Sequence, residues 1–142
     1  MTTELRNMVR PAALILVVIV VLTACGGGGS GSDETQVSVT LEDGKITLGQ
    51  EAVPSGRVTF DVTNEGSMVH EFEIFSGDNI DLPISNGVAD TGGLDLIDEV
   101  EDILPGGKPE LRLALDPGTY IIICNLPGHY AMGMVAELTV TG

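Results

Sequence analysis

One short stretch near the C-terminal end of the chain concentrates side chains that bind soft metal ions. It reads Cys124-Asn-Leu-Pro-Gly-His129-Tyr-Ala-Met-Gly-Met134 and offers a thiolate, an imidazole and a thioether within eleven residues. The apolar run Tyr120-Ile-Ile-Ile directly precedes it. We therefore expect a strand that ends in Cys124, a tight Pro-Gly loop and a returning strand, an arrangement that would direct the three donors at one point.

Thiolate, imidazole and thioether together form a donor set that suits copper. A copper site of this kind needs a second imidazole, and the chain holds one other histidine, His70. The candidate ligands are therefore His70, Cys124 and His129, with Met134 as a distant axial donor. This set predicts a mononuclear type 1 (blue) copper centre, alternating between Cu(I) and Cu(II), in an electron carrier. Zinc would accept several of these donors, but a distant thioether suits it poorly.

The small number of histidines excludes several other classes of copper protein. Multicopper oxidases and copper nitrite reductases need further histidine-rich sites, which two histidines cannot build. A binuclear copper centre needs two cysteines in its loop, where Cys124 stands alone. We therefore expect a protein that is not an enzyme.

Short runs of alternating apolar and polar residues, separated by turns, fill the chain from residue 37 onwards. Alternation of this kind predicts half-buried strands. The runs span residues 37–41, 46–48, 57–63, 68–75, 111–115, 119–124 and 135–141. The run 119–124 is apolar on both faces, so we expect it at the centre of a sheet. Together the runs predict an all-β sandwich of about seven to eight strands.

His70 lies near the start of one predicted strand, on the same face as Phe72 and Ile74, so we expect it to point towards the core. Residues 53–56 (Val-Pro-Ser-Gly) predict a turn.

The region 76–104 is dense in Gly, Pro, Asp and Asn and predicts a loop-rich insertion. Most of residues 76–97 should be loop, with weak apolar anchors at Ile80, Leu82 and Ile84. Residues 94–104 fit a short amphipathic helix and an extended segment equally well, and the pattern does not decide between them.

Two stretches of the chain carry a resemblance to a known family: Cys124–Met134, preceded by Pro-Gly-Thr-Tyr-Ile-Ile-Ile, and Met68-Val-His-Glu-Phe72 after Asn64-Glu-Gly66. They resemble the cupredoxins, the family of plastocyanin, azurin and halocyanin. The resemblance covers residues 37–141. It implies a Greek-key β-sandwich with one mononuclear copper ion that shuttles single electrons. It also implies His70 as the first ligand, Cys124 and His129 as the loop pair, and Met134, in preference to Met132, as the axial donor.

The sequence departs from that family at one position next to the first ligand. Better-known members often carry Asn there, where it ties the ligand loops together, whereas this chain has Glu71. Asn64 or Asn125 is the candidate for the missing hydrogen bonds, which would affect the reduction potential more than metal binding.

Apolar residues surround His129 and form what we call the collar. Its members are Leu126, Pro127, Tyr130, Ala131 and Met132. A redox partner such as a cytochrome or an oxidase could dock on the collar. Ordinary packing within the loop is the alternative explanation.

The N-terminal part of the chain has the pattern of an export signal. Two arginines precede the apolar run 11–24, which is shorter than the roughly twenty residues of a membrane-spanning helix. Leu22-Thr-Ala-Cys25 resembles the bacterial lipobox, which implies that Cys25 becomes the lipid-modified first residue of the mature protein. An uncleaved anchor is the alternative. We therefore expect a signal peptide at 1–24 and a lipid anchor with a flexible Gly/Ser-rich tether at 25–36.

The expected copper-binding domain then spans residues 37–142, held by lipid at the outer face of the cell membrane. The net charge of the chain is −15, which argues against nucleic acid as a partner. It favours a cationic partner, or high solubility alone. We expect a monomeric, membrane-tethered carrier of single electrons. The alternative is a copper-binding module for copper delivery, storage or sensing.

Overall fold

Two mixed β-sheets face each other in the structure, a computed structural model that describes residues 34–142. The eleven strands of this part of the chain are β1 (Thr35–Glu42), β2 (Lys45–Leu48), β3 (Ala52–Pro54), β4 (Gly56–Asn64), β5 (His70–Ser76), β6 (Ile84–Ser85), β7 (Val88–Ala89), β8 (Asp95–Ile103), β9 (Glu110–Leu115), β10 (Gly118–Ile123) and β11 (Val135–Thr141). The first sheet has the strand order β2-β1-β4-β9 and the second β3-β11-β10-β5-β8, while β6 and β7 form a separate hairpin.

The chain crosses repeatedly between the two sheets, which closes them into a sandwich. Most neighbouring strands are antiparallel, but β1 pairs with β4 and β11 with β3 in parallel. Each of the seven runs predicted from alternation overlaps a strand of this sandwich. The predicted all-β sandwich is confirmed.

The core between the sheets consists of the inward positions of the alternating strands. Val58, Phe60 and Val62 of β4 are buried, as predicted, and Phe60 meets Phe72 of β5 with ring centroids 5.4 Å apart. This pair joins the two sheets, since β4 and β5 belong to different ones.

Strand β10 lies at the centre of the second sheet and is buried on both faces, as its sequence predicts. Ile122 packs in the main core, whereas Ile121 and Ile123 pack on the outer face of the sheet with Phe75 and Tyr130. Part of the segment 77–94 covers that outer face, with Leu82 and Leu94 packed against the same cluster.

Within residues 94–104, for which the sequence pattern does not decide between a helix and an extended segment, residues 95–103 form the long edge strand β8. Its side chains are nearly all exposed, so neither a helical nor a strand-like apolar stripe is visible in the sequence. The charges along it discourage pairing with another chain, a common protection of edge strands.

Two local predictions were wrong. Val53 is not in a turn: it belongs to β3 and is buried against β11. Ile80 and Ile84 are not anchors, because their side chains are 39% and 50% exposed, and Leu82 alone of the three packs against the core.

The predicted signal peptide and the anchor at Cys25 lie outside the described residues, as does most of the predicted tether. Within residues 34–142, no helix is both long and apolar enough to cross a membrane.

Candidate metal centre

Two neighbouring strands of the second sheet place His70 and Cys124 at the same end of the sandwich. His70 is the first residue of β5, and Cys124 follows the last residue of β10. The two strands are antiparallel neighbours, with Ile123 opposite Glu73. The start of one strand therefore meets the end of the other, and this brings together residues that are 54 positions apart in the chain.

The side chains of His70, Cys124 and His129 converge on one point. The Nδ1 atoms of the two histidines lie 3.1 Å apart, and Cys124 Sγ lies 3.4 Å from His129 Nδ1 and 3.9 Å from His70 Nδ1. All three donor atoms lie within 4.8 Å of one another. His70 and Cys124 are fully buried, and His129 keeps 9% of its surface exposed.

The loop from Cys124 to Met134 is closed by its own backbone. Cys124 N donates to Met134 O and Met134 N donates to His129 O, each over 3.2 Å. A 3-10 helix, Tyr130–Met132, lies between and ends at Gly133, whose positive φ of 110° suits glycine. The loop therefore holds Cys124 and Met134 next to each other.

Met134 is fully buried in the main core with Cys124, whereas Met132 is 50% exposed. In a strand, residues two positions apart point to the same face, but Met132 lies in the 3-10 helix and Met134 follows it. The 3-10 helix ends the two-residue alternation, so the two side chains point to different environments. Burial favours Met134 as the axial donor.

The thiol and the second imidazole have shifted pKa values in this buried site. Burial raises the pKa of the Cys124 thiol, and the backbone N–H groups of Glu71 and Leu126 partly oppose this effect. Burial and the neighbouring His70 lower the pKa of His129, which keeps that ring neutral and able to bind a metal. Glu71 N donates to Cys124 Sγ over 3.2 Å and so joins the two ligand segments directly.

Asn64 and Asn125, the candidates for tying the ligand loops together, each fix one of those loops to another segment. Asn64 Nδ2 donates to the backbone oxygens of Met68 and Ile103, over 2.8 and 2.7 Å. Asn125 exchanges two hydrogen bonds with the backbone of Ala89 in β7. In these hydrogen bonds neither residue joins the two ligand loops to each other.

The segment 77–94, whose role the sequence did not reveal, is held against the ligand loop. Besides the Asn125 contacts, Gly128 N donates to Gly87 O over 2.7 Å. The Tyr130 hydroxyl accepts from Leu82 N over 2.8 Å and donates to Ile80 O. Tyr130 is buried where it makes these hydrogen bonds. The exposed part of the collar therefore consists of Pro127, Ala131 and Met132, with Leu126 half-buried.

One polar residue that contacts a ligand was not predicted from the sequence. Asp43, in the turn between β1 and β2, places Oδ1 3.1 Å from His70 Nε2. Hydrogen bonds from the Ser67 hydroxyl and backbone, with smaller contributions from Met68 N–H and His70, lower the pKa of Asp43 to about 2. The sequence Glu-Asp-Gly-Lys predicts only a turn, and nothing local in it points to a histidine 27 positions away.

The donors that converge here fit a copper ion. Two imidazoles and a thiolate lie within 4.8 Å of one another, and the buried Met134, whose backbone is hydrogen-bonded to Cys124, belongs to the same core cluster as that cysteine. Such a donor set is typical of blue copper sites.

The sequence profile of the cupredoxin-like domain family matches residues 12–140. No curated protein sequence matches this chain. Among solved structures, reduced auracyanin from Roseiflexus castenholzii is similar at 22% identity and a TM-score of 0.59, over 76% of this chain and 98% of auracyanin. Rusticyanin from Thiobacillus ferrooxidans is similar at 21% identity and a TM-score of 0.58, over 76% of this chain and 77% of rusticyanin. Auracyanin A from Chloroflexus aurantiacus matches at 20% identity and a TM-score of 0.55, over 76% and 99% of the two chains. These similarities establish the fold.

Proposed function

Because this chain belongs to the family of cupredoxin-like domains, we propose that it binds one copper ion and carries single electrons between redox partners, without enzymatic activity. The observation that carries the proposal is the convergence of His70 Nδ1, Cys124 Sγ and His129 Nδ1 within 4.8 Å. Auracyanin A, which has the same fold, is described as a blue copper protein. His70, Cys124, His129 and Met134 form a mononuclear type 1 copper site.

A copper ion held by these residues supplies a one-electron Cu(I)/Cu(II) couple. The protein contributes a rigid set of donors, since the loop that carries Cys124 and Met134 is closed by backbone hydrogen bonds. The backbone N–H of Glu71 directs a hydrogen bond at the sulfur and stabilises negative charge on it. Of the three converging side chains, His129 alone retains exposed surface, so its ring is the edge nearest to a partner.

The visible absorption spectrum of the fragment from Gly26 onwards, with Cu(II) added, tests the copper site. We expect an intense blue colour from thiolate-to-copper charge transfer, which Cys124→Ser abolishes because it removes the thiolate. Met132→Leu, an exposed position in the same loop, is the matched control and should stay blue. A wild-type fragment that remains colourless and binds no copper would contradict both the site and the carrier function.

The alternative function, copper delivery or storage, predicts transfer of the metal to a second protein. The site has features that favour a carrier instead. Cys124 is fully buried, and Asn125, Gly128 and Tyr130 fix the ligand loop to the segment 77–94. Rapid, reversible reduction by a cytochrome supports the carrier, whereas transfer of copper to an acceptor protein supports delivery.

We also propose that the protein is anchored by lipid on Cys25 at the outer face of the cell membrane. The support is the sequence alone: a charged start, an apolar run 11–24 and the lipobox-like Leu22-Thr-Ala-Cys25. Full-length protein expressed in a bacterium should fractionate with membranes and carry a lipid on its N-terminal cysteine. Cys25→Ala should remove the lipid. Unmodified Cys25 in membrane-bound protein would indicate an uncleaved anchor instead.

The redox partner is proposed to be a protein with a basic docking surface that contacts the collar around His129. Apolar side chains exposed beside the ligand nearest to the surface support this, Met132 above all. The acidic charge of the chain supports a partner of opposite charge.

A further inference from the structure

We propose that Asp43 is a positioning residue for the metal site. It holds the His70 ring through Nε2, so that the Nδ1 lone pair points to the position where the donor atoms of Cys124 and His129 converge. The inference rests on the proposed copper site. The Asp43 carboxylate, in the turn between β1 and β2, sets the tautomer of the His70 ring and its strength as an electron-pair donor.

The two nitrogens of His70 have different surroundings. Nδ1 faces Cys124 Sγ and His129 Nδ1, at 3.9 and 3.1 Å. Nε2 faces Asp43 Oδ1 at 3.1 Å. An ionised carboxylate only accepts hydrogen bonds, so the proton of the neutral ring lies on Nε2 and Nδ1 is free to bind a metal.

Asp43 is itself fixed, although its side chain is 35% exposed. Ser67 donates to it from its hydroxyl over 2.6 Å and from its backbone N over 3.0 Å, and Met68 N donates over 3.2 Å. These donors belong to the loop that leads into β5, so the carboxylate joins the turn between β1 and β2 to the entry of the ligand strand. A carboxylate held by three other bonds cannot swing away from the imidazole without breaking them.

The backbone is shaped around this contact. A Cβ added to Gly66 would lie 2.7 Å from His70 Nε2 and closer still to Asp43 Oδ1, so a side chain at that position would collide with the pair. On the other side of the same turn, a Cβ on Gly133 would lie 2.9 Å from Gly44 O. The turn is therefore packed against both ligand segments.

A carboxylate that accepts the Nε2 proton makes the imidazole a stronger donor. Stronger donation favours Cu(II) over Cu(I), so Asp43 lowers the reduction potential. Asp43→Asn keeps the shape but removes the charge, and we expect about a tenfold loss of Cu(II) affinity relative to Cu(I), the lower end of the usual range for such partners. That loss corresponds to a rise of about 59 mV in the potential of a one-electron couple.

Two control variants separate this effect from others. Glu42→Gln removes the same charge from the neighbouring residue, which is exposed on β1. Ser67→Ala removes one hydrogen bond to Asp43 and leaves the carboxylate beside His70. Both should shift the potential much less than Asp43→Asn. Equal shifts in Glu42→Gln and Asp43→Asn would mean that only net charge matters and would overturn the proposal.

The tautomer of His70 in the metal-free protein provides a readout that does not depend on copper. ¹⁵N NMR at pH 8 should show Nε2 protonated and Nδ1 unprotonated in the wild type, and a mixture or the reverse in Asp43→Ala. Wild-type His70 protonated on Nδ1, or a tautomer unchanged in Asp43→Ala, would overturn the proposal even if the protein is blue. If the wild type bound no copper, the proposed function would fail, and this measurement would still decide the role of Asp43.

Discussion

At the ligand loop, Met132 and Met134 are two residues apart, yet the fold gives them opposite environments. Only Met134 is buried beside Cys124, and Met132 is half exposed at the surface of the collar. The difference arises from three residues of 3-10 helix, which rotate the chain before β11 begins. A weak axial donor adjusts the reduction potential of a blue copper site, so the two positions should have different effects on it.

Met134→Gln should lower the reduction potential and Met132→Gln should leave it unchanged. An amide oxygen is a harder donor than a thioether and stabilises Cu(II). A tenfold gain in preference for Cu(II) would lower the potential by about 59 mV. Redox titration of the copper-loaded proteins, followed by the blue absorption, measures both variants. A shift in Met132→Gln with none in Met134→Gln would assign the axial role to Met132.

At the scale of the strands, Glu73 of β5 occupies an unfavourable position for a charge. It lies opposite Glu99 of β8, and its Oε2 is buried with no hydrogen-bond partner among residues 34–142. Burial, followed by repulsion from Glu71, Glu99 and Glu101, raises the pKa of Glu73 from 4.5 to about 7. The folded protein therefore binds a proton more tightly than the unfolded chain does.

This pKa shift predicts that stability falls as the pH rises from about 4.5 to 7 and stays low above that, because the unfolded chain releases the proton first. Glu73→Gln should remove the penalty and stabilise the metal-free protein at pH 8 by about 1–2 kcal/mol, a value reduced for solvent screening. At pH 4 the two proteins should be equally stable. Urea unfolding at both pH values measures the difference.

Glu137→Gln, which removes an exposed carboxylate from β11, is the control for the loss of one charge. It should not show a gain that appears only at high pH. A gain in Glu73→Gln of the same size at pH 4 and pH 8 would contradict the assignment, since a change in packing and not a titration would then explain it.

The strands also show what the sequence could predict. Strand β10 was predictable because a strand buried on both faces has a continuous apolar sequence. The loop after it was predictable because it contains Cys, His and Met close together. Strand β8 was not, since an exposed and charged edge has no apolar period. The exposed position of Met132 depends on a short 3-10 helix. The role of Asp43 depends on its contacts with Ser67 and His70, which are distant in the sequence. Neither leaves a local signal.

Over the described domain, the charges are distributed unequally between the two sheets. The second sheet, which carries His70 and leads into Cys124, contains no Lys or Arg in its five strands. The basic residues of the described part of the chain lie in strands of the first sheet or in the connection from β8 to β9: Lys45, Arg57, Lys108 and Arg112. This distribution of charge should attract the proposed basic partner towards the sheet with the metal ligands.

This asymmetry, together with the exposed collar, predicts where added positive charge will slow electron exchange. Met132→Lys places a cation at the collar, where a basic partner is proposed to dock, and should lower the rate of electron exchange with a basic cytochrome several-fold at low ionic strength. Leu96→Lys adds the same charge to a residue of similar exposure, 47% against 50%. Leu96 pairs with Phe75, whereas His70 pairs with Ile103 at the opposite end of β8, so the control charge lies far from the ligands.

Stopped-flow reduction of the copper-loaded proteins measures these rates, and unchanged blue spectra show that the metal site is intact in both variants. The deficit of Met132→Lys should shrink as salt is added, because the Debye length falls from about 30 Å at 0.01 M to about 8 Å at 0.15 M. If the slower electron exchange of Met132→Lys persists in salt, the variant has lost an apolar contact with the partner at the collar. That result would also support docking at the collar. Equal rates for Met132→Lys and Leu96→Lys at every ionic strength would mean that electrons leave the protein elsewhere, because a partner that docks on the collar cannot avoid a lysine at its centre.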